Sequence, residues 1–116
     1  LINWDINNNI YLLDELVKQG NIVFLDVTAD WCLTCLVNKS LVIETEEVSQ
    51  LFKKNNIITM RLDWTKPNES IKKLLADNNR FGIPFNKMYG PLMRNGKILP
   101  ELLSIKIVEQ YIKSVK

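Results

Sequence analysis

The spacing of apolar residues predicts where this chain forms strands and where it forms helices. Residues 22–27 form a short, nearly continuous apolar run, broken only at Asp26, which is typical of a central strand buried on both faces. A second run at residues 57–63 predicts another strand, and Leu1–Asp5 is expected to add a short edge strand whose Trp4 packs against the core. Helical spacing recurs near residues 10–17, 45–52, 70–76 and 107–115. Because a helix connects the two apolar runs, we expect their strands to be parallel.

Polar residues mark where the predicted helices begin, bend and end. Asn7–Asn9 supplies a cap for the first helix, and Gly20–Asn21 ends it. The helix that follows residues 22–27 meets the polar group Asn38–Ser40 near its middle, where a kink is expected. The later helices are expected to begin at about Thr45, at Asn68 or Ser70, and at Ser104.

The last strands are predicted from a turn signal. Asn95–Gly96 is the type of pair that favours a two-residue hairpin turn. It predicts short antiparallel strands at Pro91–Arg94 and Lys97–Leu99, after a strand at Phe85–Tyr89.

Composition limits the fold to one ordinary globular domain. At 116 residues, with 47% apolar and 24% charged content, the chain is long enough for one well-buried core and too short for two. We therefore expect a single α/β domain over residues 1–116, with a central mixed sheet and helices on both faces. Because the chain begins at Leu1 instead of Met, we also expect it to be a piece of a longer protein.

The charge balance argues against several classes of partner. The net charge is +2, from 15 basic and 13 acidic residues, which is too small to indicate binding to nucleic acid or to an anionic membrane. No apolar run approaches the roughly 18 residues that a membrane span needs. We expect a domain that is itself soluble and monomeric.

Two cysteines follow the first apolar run directly. Residues 31–36 contain no Gly or Pro and can begin a helix, with Cys32 in its first turn and Cys35 one turn further on the same side. The N–H groups and dipole of a helix N-terminus stabilise a thiolate, the reactive form of cysteine. We therefore expect Cys32 to be the more accessible, attacking thiol and Cys35 the more buried, resolving thiol. This spacing keeps the Cα atoms within disulfide range, so the oxidised and dithiol forms are both feasible.

Asp26 interrupts the apolar run where a hydrophobic residue would be expected. If its side chain lies under the cysteine helix, it is a candidate proton acceptor for the resolving thiol. No basic residue lies near it in the sequence. Without a distant partner in the fold, it would cost stability, and Asp26→Asn or Asp26→Ala would stabilise the domain at neutral pH. The alternative is an Asp at a strand edge that faces water.

Two other uses of the cysteines are weaker interpretations. A structural zinc site usually has four Cys or His ligands, whereas this chain has two cysteines and no histidine, so no metal site is expected. A purely structural disulfide over so short a loop would constrain little of the unfolded chain. Redox chemistry is the preferred interpretation.

Strand, buried acid, WCxxC and helix together resemble the active-site unit of the thioredoxin fold. In that family the acid lies six residues before the first cysteine, as Asp26 lies before Cys32. Gly82–Pro84 matches the family's loop with a cis-proline that faces the disulfide. Longer motifs are similar to the C-terminal thioredoxin-like domain of the membrane thiol:disulfide interchange protein DsbD family, especially its copper-sensitivity-suppressor branch. These motifs are ADWCLTC, DWTKPN, RFGIPFNKMYGP and LPELL, and the resemblance covers nearly the whole chain.

The resemblance implies a docking surface around the disulfide. In the family the cis-proline turns the preceding backbone towards the substrate, so the N–H and C=O of Ile83 are expected to pair with an extended peptide. Pro84 would shield the sulfurs, and Trp31 and Phe81 are expected to lie at the rim, partly exposed. The alternatives are an ordinary trans-proline at a strand start and a core tryptophan.

The resemblance also implies a function, thiol–disulfide exchange in the reductase direction, with no cofactor beyond the disulfide Cys32–Cys35. A transmembrane electron-donor domain of the same protein is expected to reduce this one, which then reduces periplasmic thioredoxin-like or other disulfide-containing proteins. These acceptors would serve disulfide repair, cytochrome c maturation or copper resistance. The expected location is periplasmic, as a domain of an inner-membrane protein.

Three rival functions stay open at this point. Leu33 and Thr34 differ from the Gly-Pro of general thioredoxins, so no reduction potential is carried over. Thr59 stands nearest to the position of a lysine that accompanies the buried acid in some relatives. The rivals are a free-standing thioredoxin with a soluble reductase, a disulfide-forming oxidase, and a redox-inert or Cu(I)-handling binding module.

Overall fold

A four-stranded mixed sheet lies at the centre of the computed structural model, which describes Trp4 and residues 8–116. Strand β1 (Val23–Thr28) pairs in parallel with β2 (Ile58–Asp63) on one side. On its other side β1 pairs antiparallel with β3 (Phe85–Gly90), and β4 (Met93–Ile98) pairs antiparallel with β3. The α/β class, the mixed sheet and the parallel pairing of the two apolar runs are confirmed.

Helices cover both faces of this sheet, as predicted. Helices α1 (Ile10–Lys18) and α4 (Glu69–Asp77) pack on the face to which β1 turns Val23, Leu25 and Val27. The other face, which receives Phe24, is covered by α3 (Glu46–Lys54), α5 (Ile105–Val115) and part of the cysteine helix. Within the described residues, no helix has the length and apolar character needed to cross a bilayer.

Side-chain caps begin the helices close to the predicted positions. In each case the cap oxygen accepts a hydrogen bond from a backbone N–H three residues further on, which satisfies a donor that the helix leaves free. The capping residues are Asn9, Thr45, Asn68 and Ser104.

The cysteine helix changes its winding at the polar group in its middle. Helix α2 (Leu33–Asn38) continues directly into a π-helical turn, Lys39–Ile43, so the predicted kink is confirmed as a change of helix type. Asn38 is buried at the junction, where its Nδ2 donates to the Glu101 carbonyl (2.8 Å) and its Oδ1 accepts from the Leu103 N–H (3.1 Å). The side chain thereby ties the helix to the loop before α5.

The predicted hairpin at Asn95–Gly96 is wrong. The turn between β3 and β4 lies at Pro91–Leu92, and Asn95–Gly96 lies inside β4, where the pairing register shifts as in a β-bulge. Gly96 has a φ of +82°, and a Cβ there would lie 2.6 Å from a ring carbon of Tyr89. The glycine therefore allows a bulge, over which the Tyr89 ring lies. A bulge of this kind, like a turn, needs the positive φ that glycine adopts readily.

The predicted edge strand at Leu1–Asp5 lies outside the described residues, except for Trp4. The Trp4 ring packs edge-on against Phe24, with 6.1 Å between ring centroids. Its predicted packing against the core is confirmed.

Candidate active site

Both cysteines lie where β1 ends and α2 begins. Cys32 is the N-cap of α2, one position before the predicted first turn, and its Sγ accepts a hydrogen bond from the Cys35 N–H (3.2 Å). The two residues form a disulfide, with Cα atoms 5.2 Å apart. Cys32 is 6% exposed and Cys35 3%, so the predicted order holds by a small margin and both sulfurs lie nearly out of solvent.

Asp26 is buried and is not exposed at a strand edge. It is 3% exposed and lies on the same face of β1 as Phe24, the face that the cysteine helix helps to cover. Arg61 Nε donates to Asp26 Oδ2 at 2.9 Å, and Asn86 Nδ2 donates to Asp26 Oδ1 at 2.8 Å. The prediction that replacing Asp26 stabilises the domain assumed a carboxylate without a basic partner, and Arg61 is such a partner. The replacement would leave Arg61 without its ionic partner, so the stabilisation is no longer expected.

Arg61 and Asn86 were not identified from the sequence. Arg61 lies in the middle of β2, directly opposite Asp26 in the parallel register, while Thr59 lies opposite Phe24. Asn86 lies opposite Asp26 on β3. The signal at residue 61 was a charged residue inside an apolar run, which indicates a buried charge with a partner. The identity of the partner depends on the strand register, which the apolar pattern does not specify.

The proline loop faces the disulfide. The Ile83–Pro84 peptide bond is cis, so the alternative of an ordinary trans-proline is wrong. Ile83 is half-buried and packs against the small cluster of Ala29, Cys32 and Cys35, and Pro84 is buried. The loop that was predicted from Gly82–Pro84 therefore lies beside the sulfurs.

Exposed aromatic and aliphatic side chains lie in the cysteine helix, just before it and next to the proline loop. Trp31 is 61% exposed and Phe81 is 89% exposed, which excludes a core position for the tryptophan. Leu33 is also exposed, and α2 with its π-helical turn carries three further exposed apolar residues: Leu36, Val37 and Leu41. Exposed apolar side chains that form a contiguous patch are typical of a protein-binding site, which makes these residues candidates for one.

A loop after β2 holds Trp31 in place. The Trp31 indole Nε1 donates to the Thr65 carbonyl (3.2 Å), and its ring lies against Trp64 with 6.3 Å between centroids. The Thr65 hydroxyl accepts from the Asp30 N–H (2.9 Å) and donates to the Asp63 carboxylate. Thr65 therefore links the residues before Cys32 to the end of β2, a role that the sequence did not indicate.

The Thr65 hydroxyl also lowers the pKa of Asp63 below its ordinary value of 3.8, assisted by the Thr65 N–H and the charges of Lys39 and Arg61, and opposed by partial burial. A hydrogen bond to a carboxylate favours the ionised form. The carboxylate of Asp63 is thus a fixed negative charge at neutral pH, at the start of the loop whose Thr65 carbonyl accepts the hydrogen bond from Trp31.

Comparisons with known proteins agree with this geometry. A family model described as thioredoxin-like matches residues 12–91. The chain is 35% identical over 72 residues to the thiol:disulfide interchange protein DsbD of a Pseudomonas species, and 33% identical over 79 residues to that of Pseudomonas fluorescens. The first match covers 62% of this chain and the second 68%. The chain spans only 12% and 13% of the lengths of these two relatives.

A solved structure shows the same fold. The oxidised C-terminal domain of DsbD from Neisseria meningitidis superposes with a TM-score of 0.69 at 22% sequence identity. The superposition covers 91% of this chain and 98% of that domain.

We predict that Thr65→Val reduces the acid dependence of stability. A carboxyl group with a lowered folded pKa contributes stability that is present above its unfolded pKa and lost as the pH falls through the folded pKa. Removing the hydroxyl weakens the main cause of the lowering at Asp63, so the stability difference between neutral pH and about pH 2 should shrink. Urea unfolding at the two pH values measures this difference. In an Asp63→Asn background the same substitution should no longer change it, and an unchanged difference in Thr65→Val alone would contradict the assignment.

Proposed function

The chain belongs to the thioredoxin-like family, and on that premise we propose that it is a thiol–disulfide oxidoreductase that reduces disulfides in partner proteins. The observation that carries the proposal is the cysteine pair itself, disulfide-bonded at the N-terminus of α2 and bordered by the proline loop and an exposed tryptophan. A disulfide with a purely structural role does not require exposed apolar residues beside its cysteines in the chain.

The reaction proceeds in two exchanges. In the dithiol form, the Cys32 thiolate attacks a partner disulfide, so that a Cys32–partner mixed disulfide forms and one partner sulfur leaves as a thiolate. Cys35 then loses its proton and attacks Cys32 Sγ, which forms the Cys32–Cys35 disulfide and releases the second partner sulfur. The partner disulfide gains two electrons and two protons, and the dithiol of this chain is oxidised.

Position on α2 gives the two cysteines different roles. Cys32 stands at the N-cap, where unpaired backbone N–H groups stabilise a thiolate, so it is the attacking residue. Cys35 lies inside the helix and is the more buried of the two, so it is the resolving residue. No cofactor enters this scheme, because the cysteine pair carries both electrons.

Asp26 is the proposed acceptor of the Cys35 proton. It lies on the face of β1 that the cysteine helix helps to cover, and a general base acts on a proton within hydrogen-bond reach or through one water. Its two hydrogen bonds, from Arg61 and Asn86, engage one oxygen each and leave further lone pairs for a proton.

The proposed docking surface consists of Trp31, Phe81, Ile83 and Pro84. The two aromatic rings supply exposed apolar area, and the half-buried Ile83 packs against the disulfide cysteines. The backbone N–H and C=O of Ile83 would pair with an extended segment of the partner on either side of its cysteine.

The place of the domain in a larger protein is also a proposal. The relatives are named thiol:disulfide interchange protein DsbD and are about eight times longer than the matched segment, which supports one domain of a longer protein. That the longer protein is a membrane protein is part of the proposal. In that setting a transmembrane domain of the same protein supplies electrons, and the acceptors are periplasmic thioredoxin-like or other disulfide-containing proteins. Cytochrome c maturation and membership of the copper-sensitivity-suppressor branch stay predictions.

Reduction of insulin, with dithiothreitol as the electron source, tests the function. The reduced domain should accelerate precipitation of the insulin chains, and added Cu(I) should only inhibit. Tight Cu(I) binding without insulin reduction would instead favour the copper-handling module. Turnover with a soluble thioredoxin reductase would favour the free-standing thioredoxin.

We predict that the two cysteine substitutions have different effects. Cys32→Ser should abolish insulin reduction, whereas Cys35→Ser should accumulate a mixed disulfide through Cys32, because the resolving thiol is missing. Mass spectrometry after acid quenching identifies the linked residue. Alkylation of the reduced protein should label Cys32 first, and preferential labelling of Cys35 would reverse the two roles.

We predict that Trp31→Ala weakens partner reduction with little loss of stability. An exposed ring contributes to docking but not to the core, so the KM for insulin should rise while the free energy of unfolding changes by less than about 1 kcal/mol. Tyr11→Ala, at an exposed aromatic residue of α1, is the matched control and should change neither quantity. A stability loss above about 3 kcal/mol in Trp31→Ala would mark the ring as part of the core.

A further inference from the structure

A cavity of about 360 Å³ lies between α1 and α4, on the face of the sheet opposite to the cysteine helix. Small-molecule pockets of proteins enclose about 300–1,000 Å³, so this cavity has room for a small ligand. Two buried side chains form its floor, Leu13 of α1 and Tyr89 of β3, and the half-buried Ile10 and Leu74 line its sides. The reaction described above uses none of these residues.

Among the described residues, three charged side chains line the cavity, and two of them are paired with each other. Lys73 Nζ donates to Asp77 Oδ2 at 2.8 Å, one turn apart on α4. This hydrogen bond and the charge of Asp77 raise the pKa of Lys73 above its ordinary value of 10.5. The carboxylate of Asp14 on α1 makes no ion pair and no hydrogen bond within the same part of the chain. The lining thus has two carboxylates against one ammonium group, an excess of one negative charge.

The Asp14 carboxylate lies close enough to Tyr89 to act on its hydroxyl. Burial is the main cause that raises the pKa of Tyr89 above its ordinary value of 10.0, and the charge of Asp14 adds to it. The hydroxyl therefore keeps its proton at neutral pH and is a hydrogen-bond donor that adds no negative charge. The ring itself has an aromatic face, to which cations are attracted. The cavity thus combines a carboxylate with an apolar and aromatic floor.

Lys87 is a neighbouring cation that would oppose the binding of another. Its Nζ lies 5.0 Å from the centroid of the Tyr89 ring and donates to Asn78 Oδ1 at 2.7 Å. Burial lowers the pKa of Lys87, because the charged ammonium group loses hydration. Lys87 does not line the cavity and makes no ion pair with Asp14, so its charge does not replace a cation there.

We propose that this cavity binds a small organic cation, whose ammonium group lies at Asp14 and whose aromatic body packs on Leu13, Leu74 and Tyr89. The excess negative charge of the lining selects the charge of the ligand, and the floor supplies the apolar contact. A planar ring fills a cavity of this volume, whereas the single methylene chain of a lysine side chain would leave most of it empty. A small molecule is therefore favoured over a basic segment of a partner protein. The site lies on the opposite face of the sheet from the cysteine helix and does not depend on the proposed function.

We predict that the oxidised 116-residue chain binds phenethylammonium at this site. Titration of the ¹⁵N-labelled chain should give saturable amide shifts in α1, in α4 and at Tyr89, with a Kd of about 1 mM, within reach of a ligand of this size. Phenethyl alcohol, which has the same ring without the charge, should bind about fivefold more weakly, the upper range for an exposed ion pair. Phenylacetate, with a carboxylate in place of the ammonium group, should give no shifts there.

Two substitutions on α1 test the role of the carboxylate. Asp14→Asn should weaken the binding of phenethylammonium about fivefold and leave that of phenethyl alcohol within about twofold. Glu15→Gln, at the neighbouring exposed acid that does not line the cavity, is the matched control and should leave both affinities within about twofold.

Four results would overturn the proposal. The first is an affinity for phenylacetate or phenethyl alcohol equal to that for phenethylammonium, and the second is an undiminished affinity in Asp14→Asn. The third is the absence of saturable shifts at concentrations about tenfold above the expected Kd. The fourth is tighter binding of Nα-acetyl-lysine methylamide, which would favour a basic side chain of a partner protein. Because the titration involves no electron transfer, each of these results leaves the proposed reductase function untouched.

Discussion

Burial of β1 on both faces is the constraint on which the other features of this structure depend. All six of its residues are buried, and each fully buried apolar side chain among them contributes about 1.5–3 kcal/mol to folding. An unpaired charge in the same strand would offset much of that gain, because a buried carboxylate loses its hydration. Asp26 is tolerated because both neighbouring strands supply a partner, Arg61 from β2 and Asn86 from β3. The two cysteines follow shortly after the end of this strand.

In the proposed function, the reactive groups are separate from the surface that a partner would contact. The sulfurs, Asp26 and Arg61 lie largely out of solvent, where charges interact strongly and water does not compete. Trp31 and Phe81, the proposed rim, are exposed, and the Thr65 carbonyl accepts a hydrogen bond from the Trp31 indole. Changes at the rim are therefore expected to alter which partner binds, and changes in the buried group to alter the rate of exchange.

Sequence reasoning succeeded where a signal is local. The caps at Asn9, Thr45 and Ser104 and the burial of Asp26 follow from residue type and spacing over a few positions, and the exposure of Trp31 was implied by the family resemblance. It failed where the outcome depends on strand register. The Asp26–Arg61 pair joins residues 35 positions apart, and a shift of one residue in register would have placed Arg61 on the other face. Asn95–Gly96 was misassigned because a bulge and a turn require the same glycine conformation, and Pro91–Leu92 formed the turn.

The reduction potential of the Cys32–Cys35 pair tests the central claim, that this dithiol donates electrons to partner disulfides, most directly. Equilibration in glutathione buffers of known ratio, followed by acid quenching and alkylation, gives the fraction oxidised at each potential. A donor should be half oxidised at or below about −200 mV, in the range of glutaredoxins and thioredoxin. A midpoint near about −120 mV, the value of the strong oxidant DsbA, would mean that the dithiol is the more stable form and would contradict the reductase assignment.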